Sequence, residues 1–238
     1  MSVCIRSTHL LLLPGMMCDG DMWREQVDSL SSDVAISVGD IGGADSVEAL
    51  AQSILEQAPE HFALAGLSMG GIIALEMWRQ APQRIERLAL LDTNHHADLP
   101  ERRDLRLEQI ERVVAGELET VLRDELKPNY LADCHRNNLA LLDTVLAMGL
   151  AQGPEVFARQ SLALRNRPDS DATLLGIDCP TLVLCGDEDE LCTPAVHEYM
   201  ASRIPGATLV IVPECGHLST MEQPQRVSAA LHNWLCAA

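Results

Sequence analysis

The chain has 238 residues, 47% of them apolar and 22% charged, and a formal net charge of −18. Such a length and apolar content suit one or two domains with a sizeable buried core and exclude a disordered chain. So acidic a surface repels nucleic acid and anionic membranes, and no apolar run approaches the roughly 20 residues of a membrane-spanning helix. Eight cysteines lie scattered without a C-x-x-C pair or zinc-ligand spacing, which points to free thiols in a reducing cytoplasm. The apolar run at 10–13 after Arg6 is too short for the core of a signal peptide.

In chain order, the hydrophobic pattern predicts strands near 8–13, 33–38, 61–66, 86–92, 180–186 and 207–213. Helices are expected near 21–30, 45–58, 70–80, 194–203 and 222–236, with Asp45 and Glu48 as a capping box and Pro82 ending the third helix. Strands alternating with helices imply an α/β fold, a mostly parallel central sheet flanked by helices on both faces. The alternation breaks between His95 and about Ala172, where only amphipathic helical patterns occur. Leu105, Ile110 and Val113 mark one apolar face, Leu118, Val121, Leu122 and Leu126 a second, and Leu139, Leu142, Val145, Leu146 and Phe157 continue them. The expected organisation is a core of residues 1–94 and 173–238 with a helical insertion over 95–172. That insertion carries ten of the seventeen basic residues against fourteen acids. Pairs between neighbours on exposed helix faces are the expected reading, and recognition of an anionic substrate or an acidic carrier protein by some arginine is the alternative.

Gly66-Leu67-Ser68-Met69-Gly70 lies where the third strand turns into the third helix. Glycines on both sides permit the sharp turn that lifts a serine hydroxyl clear of a sheet, so Ser68 is the candidate nucleophile. A nucleophilic serine needs a base and a group to orient that base. An acidic cluster, Asp187 to Glu190, follows the fifth strand, and His217 follows the sixth. All three fall beyond the carboxyl ends of parallel strands, where ligands bind in such sheets. His95 and His96 follow the fourth strand and are read as lining the pocket or capping the next segment, not as the base.

These features resemble the α/β-hydrolase superfamily over nearly the whole chain. LLLLPG at 10–15 with Trp23 resembles its oxyanion strand and loop, GLSMGG its nucleophile elbow, GDEDELCTP its acid loop and PECGHLSTMEQP its histidine loop. The resemblance implies a Ser68–His217–Asp189 triad, since the acid usually stands fourth in G-x-x-D; Asp187 is the rival. It implies backbone N–H donors at Met16 and Met69 for an oxyanion and a helical cap made by the insertion. Met16, Met17, Met69, Leu191 and Leu218 flank the catalytic positions and are read from that adjacency as an apolar pocket wall. Two departures stand out. Pro14 replaces the usual histidine of the oxyanion loop, and the glycine-rich loop after the second strand shrinks to Asp40-Ile41-Gly42-Gly43, predicting a more open pocket there. Length and cap resemble pimeloyl-carrier methyl ester esterases and 3-oxoadipate enol-lactonases. The expectation is a hydrolase of small-to-medium carboxylic esters needing no cofactor or metal, with a small-molecule substrate as its partner. Lactone, thioester or carbon–carbon bond cleavage by the same triad is the alternative.

Overall fold

The computed structural model describes residues 9–126 and 130–237. Six parallel strands form one sheet: β1 (His9–Leu13), β2 (Ala35–Val38), β3 (Phe62–Leu67), β4 (Ile85–Leu91), β5 (Thr181–Gly186) and β6 (Thr208–Val212), in the order β2-β1-β3-β4-β5-β6. Every residue of β3 and β5 is buried, while edge strands β2 and β6 expose part of their length. This difference follows from helices covering both faces of the sheet centre. On one face α2 (Val47–Gln57), α3 (Met69–Gln80) and α8 (Pro194–Arg203) enclose Leu64, Leu88, Leu90 and Val183. On the other, α1 (Arg24–Leu30) and α10 (Pro224–Cys236) enclose Leu12, Ala65, Leu91 and Leu184 together with Trp23 and Trp234.

Strand order reverses at β1. The chain leaves β1 for β2 on one side, then crosses to β3 on the other, which opens a crevice at the carboxyl ends of β1 and β3. Residues Pro14 to Met16 and Ser68 stand at that crevice. No helix among the described residues is long and apolar enough to cross a membrane.

Several local expectations shift. The cap of α2 is Ser46, whose hydroxyl accepts from the Ala49 amide, one residue later than the expected Asp45. The first helix opens as a tight 3₁₀ turn over Gly20–Trp23. The last divides into α9 (Ser219–Glu222) and α10, because Pro224 opens a new helix and cannot continue the old one.

Between β4 and β5 the described residues form helices and no strand: α4 (Pro100–Arg112), a single turn α5 (Leu118–Thr120) between π-wound stretches, α6 (Leu139–Asn166) and α7 (Asp171–Leu174). Gly153 takes φ 81° just before Pro154, so α6 is two helices meeting at a kink. Val113, Leu118, Val121, Leu122 and Phe157 form a small apolar cluster on Met17. Leu105 and Leu139 do not join it; they are exposed. The shortened loop after β2 is not an opening. The second half of α6 roofs it, with Arg159 Nε donating to the Gly42 carbonyl at 2.7 Å, Gln160 Nε2 to Ile41 at 3.2 Å, and Val156 against Gly42.

Candidate active site

Ser68 sits between β3 and α3 at φ 54°, ψ −116°, a conformation a non-glycine residue holds only where its surroundings force it. They do so through close packing. A Cβ on Gly66 would lie 2.3 Å from the Gly70 carbonyl oxygen, and one on Gly70 would lie 2.3 Å from the Leu13 carbonyl oxygen. The helix can therefore approach the strands this closely only with glycine at both positions. The Ser68 amide donates to Leu91 at 2.9 Å and its carbonyl accepts from Thr93 Oγ1 at 2.7 Å, which locks the elbow to the end of β4.

Ser68 Oγ lies 2.9 Å from His217 Nε2, and His217 Nδ1 lies 2.9 Å from Asp189 Oδ2. Asp189 Oδ1 accepts the Leu191 and Cys192 amides, each at 2.9 Å. Burial alone would raise the Asp189 pKa, but the His217 charge, the hydrogen bond to it and the two amides bring it below the ordinary value. For His217 burial works to lower the pKa, and the Asp189 charge and hydrogen bond outweigh it, so the imidazole sits above its ordinary value. Asp187 is engaged elsewhere: its carboxylate accepts the Cys215 amide at 3.3 Å and links the acid loop to the histidine loop.

Two further carboxylates hold this assembly. Asp92, fully buried and at φ 44°, accepts from the Gly186 amide at 3.1 Å and from the Ser219 amide and hydroxyl. It thereby ties the end of β4 to the acid and histidine loops. Glu222 accepts the Gly216 amide at 3.0 Å and the Leu218 amide at 3.2 Å through one oxygen, and the Ala132 amide at 2.8 Å through the other. The His217 amide donates to the Tyr130 carbonyl at 2.7 Å. Asp92 ends a core strand at the sheet edge where ligands bind, which is a signal the sequence carried. Glu222 stood inside the histidine-loop match PECGHLSTMEQP, with no role assigned to it.

A cavity of about 810 Å³ opens onto Ser68 and His217, walled by Met16, Met69, Leu191 and residues of the helical insertion. The expected donors Met16 and Met69 are both there. A Cβ on Gly15 would lie 3.5 Å from Ser68 Cβ, so the Pro14-Gly15-Met16 backbone runs beside the serine. Among the described residues neither the Met16 nor the Met69 N–H has an acceptor, whereas the Met17 N–H is taken by Gln160 Oε1 at 2.8 Å. Met17, Leu218 and His95 do not line the cavity. Met17 packs under the insertion at φ 57°, and Leu218 faces the core behind His217. His95 is buried against Tyr199, its ring 5.1 Å away, and its neighbour His96 lines the wall instead.

Asp189, Cys192 and His217 bring possible metal ligands within 4.8 Å of one another. Their capacity is already used. Asp189 has three partners, His217 bridges Asp189 and Ser68, and burial raises the Cys192 pKa so that its thiol keeps its proton.

The Alpha/beta hydrolase family model matches residues 10–230, and the chain belongs to that family. Among solved structures it is similar to a thermophilic esterase from Thermogutta terrifontis with malate bound. The two are 32% identical, with a TM-score of 0.88 over 95% of this chain and 89% of that one. It is also similar to a pimeloyl-[acyl-carrier protein] methyl ester esterase from Nitrosomonas europaea, 24% identical over 91% of each chain. The fold is shared with the enol-lactonase from Burkholderia xenovorans LB400 at a TM-score of 0.85 and 23% identity, over 98% of this chain and 92% of that one.

Proposed function

We propose that this protein is a serine hydrolase of small-to-medium carboxylic esters that works through an acyl-enzyme on Ser68. The observation that carries the reading is the continuous chain from Ser68 Oγ to His217 to Asp189, at 2.9 Å for each contact, beside a cavity large enough for a small ester. In that reading His217 Nε2 takes the hydroxyl proton as Ser68 attacks the acyl carbon, then returns it to the leaving alcohol. Asp189 keeps the proton on Nδ1 and stabilises the imidazolium. The oxyanion is stabilised by the Met16 and Met69 amides, the second at the positive end of α3. Water repeats the steps in reverse order and releases the acid.

Residues 95–172 serve as a cap over a core of 1–94 and 173–238, and the free cysteines suit a reducing compartment such as the cytoplasm. The names of the relatives support ester hydrolysis, and a lactone would use the same groups. The test is a series of p-nitrophenyl esters from two to sixteen carbons with a fluorophosphonate label read by mass spectrometry. Labelling on Ser68 with turnover of soluble short esters supports the reading. A label elsewhere, or a jump in rate when substrate passes its solubility limit, contradicts it.

A further inference from the structure

The wall of the cavity that opens onto Ser68 contains more buried positive charge than it neutralises. Asp98 bridges two arginines: Arg106 Nε contacts one carboxylate oxygen at 2.5 Å and Arg167 Nη1 the other at 2.6 Å. All three side chains are at least nine-tenths buried, with 8%, 6% and 5% of Arg106, Arg167 and Asp98 exposed. Two cations thus share one anion, and Arg102 at the cavity rim adds a third positive charge with no ion pair among the described residues.

The two arginines are not equivalent. Arg167 is almost fully used, donating to the His96 and Leu164 carbonyls and to Asn94 besides Asp98. Its guanidinium braces the loop after β4. Arg106 has no oxygen partner beyond Asp98 among the described residues, and its Nη1 meets only Met16 Sδ at 3.9 Å. One edge of a buried guanidinium therefore faces the cavity beside the residue whose amide adjoins Ser68. Burial holds the Arg106 pKa below its ordinary value despite Asp98, and Arg102 and Arg167 add repulsion.

The acidic residues of the cavity wall do not relieve this imbalance. Glu125 is bound by Arg112 and Gln109, Asp169 accepts the Asp171 amide and faces His96, and Glu190 points to Arg136. A buried charge without a partner is unfavourable, and an arginine edge matches a carboxylate in geometry as well as sign. A chain of net charge −18 also repels anions at a distance, so admitting one needs local positive charge of this kind.

We propose that Arg106, aided by Arg102, forms an anion subsite in the catalytic cavity, and that the preferred substrate is an ester carrying an ionised carboxylate. The substrate class rests on the Ser68 hydrolase reading above; the subsite itself does not. The reacting carbonyl sits at Ser68 while the second carboxylate neutralises the free edge of Arg106. Arg106→Gln is an informative variant because Asp98 keeps Arg167 as its partner.

The test compares kcat/KM for monomethyl glutarate with dimethyl glutarate, and for butyryloxyacetate with propyl butyrate, which puts the anion in the acyl or the alcohol half. Wild type should prefer one anionic ester over its neutral counterpart by about tenfold or more. Arg106→Gln should lower that anionic rate about 10- to 100-fold while changing the neutral rate less than about threefold. Arg106→Lys should fall between, and Arg102→Gln, on the exposed rim, should give a smaller loss with the same selectivity. Preference in either half supports the subsite and says which half it reads. Equal rates on anionic and neutral esters in wild type, or equal losses on both in Arg106→Gln, overturn it. If wild type cleaves none of the esters, the hydrolase reading is wrong and the subsite is judged by glutarate binding. A rise in melting temperature with glutarate that Arg106→Gln abolishes supports it, and no rise in wild type overturns it.

Discussion

Glu222 offers a direct measure of how the histidine loop is held. Its side chain is fully buried and its two oxygens satisfy three backbone N–H groups: Gly216 and Leu218 on one side, Ala132 on the other. Glu222→Gln keeps the size but leaves one carbonyl. That oxygen can face the loop or Ala132, and the new NH₂ then opposes at least one N–H. One orphaned buried amide costs about 1–3 kcal/mol, so a loss near 2 kcal/mol is expected. Glu222→Ala strips all three and leaves a void, for about 4 kcal/mol. His135 also faces Glu222, at 3.1 Å, but is a quarter exposed, and His135→Ala should cost under about 1 kcal/mol. Because Gly216 and Leu218 bracket His217, a displacement of the loop should lower kcat more than it raises KM, by about 10- to 100-fold. Urea unfolding and steady-state kinetics on p-nitrophenyl acetate read both effects. A Glu222→Gln protein as stable and active as wild type would mean that water reaches those amides and the clamp does not exist.

Ser68→Ala should lose nearly all turnover with stability intact, and adding His217→Ala should cost little more; multiplicative losses in the double mutant would count against a shared mechanism. Asp189→Asn should lower kcat about 10,000-fold, the loss known for the same change in a serine-protease triad, because an amide favours the wrong imidazole tautomer. Asp187→Asn should cost less than about tenfold, and the reverse ranking would move the acid. The base form of His217 is the active one and its pKa lies above the ordinary 6.5, so kcat/KM should be full at alkaline pH and fall as pH drops through a midpoint above 6.5. A midpoint below 6.5 would mean that Asp189 does not outweigh burial.

Elements that carry their own local geometry were readable from the chain. Ser68 was one, since Gly66 and Gly70 announce a turn where strand and helix backbones nearly touch. The strands were another: β3 and β5 are apolar runs bounded by turn residues, and β4 keeps such a run after Glu86 and Arg87. What failed was inference from adjacency. Leu218 follows His217 and Met17 follows Met16, yet only the first of each pair lines the cavity, while Leu218 and Met17 are buried in apolar clusters. His95 failed for a similar reason, since the chain turns at Asp92 with positive φ and puts His96 on the wall. The pairing of Asp98 with Arg106 and Arg167 has no local signal, because it depends on how the insertion folds back over the sheet.

Asp92 poses the question of where the site keeps its negative charge. It shares a buried region with Asp189, and two carboxylates in low dielectric resist ionising together. Their surroundings separate them. Asp189 has the imidazolium and two amides. Asp92 is pushed well above its ordinary pKa by burial first and then by the Asp189 charge, against weaker pulls from His217, Ser219 and Gly186. The surroundings therefore favour the charge on Asp189 and oppose it on Asp92, whose Oδ2 accepts from the Ser219 hydroxyl. A neutral isostere should then substitute for it. Asp92→Asn keeps an oxygen for the Gly186 amide and places an NH₂ opposite Ser219, where the hydroxyl must turn from donor to acceptor and the 3.3 Å contact with the Ser219 amide is lost. The variant is expected to retain activity within about tenfold and stability within about 1.5 kcal/mol, in contrast to Asp189→Asn. It should also lower the midpoint of the pH profile slightly, since even a partly ionised Asp92 raises the His217 pKa. Kinetics of the two variants side by side decide the matter. If Asp92→Asn is as damaging as Asp189→Asn while remaining folded, the ionised carboxylate that supports His217 is shared between both positions.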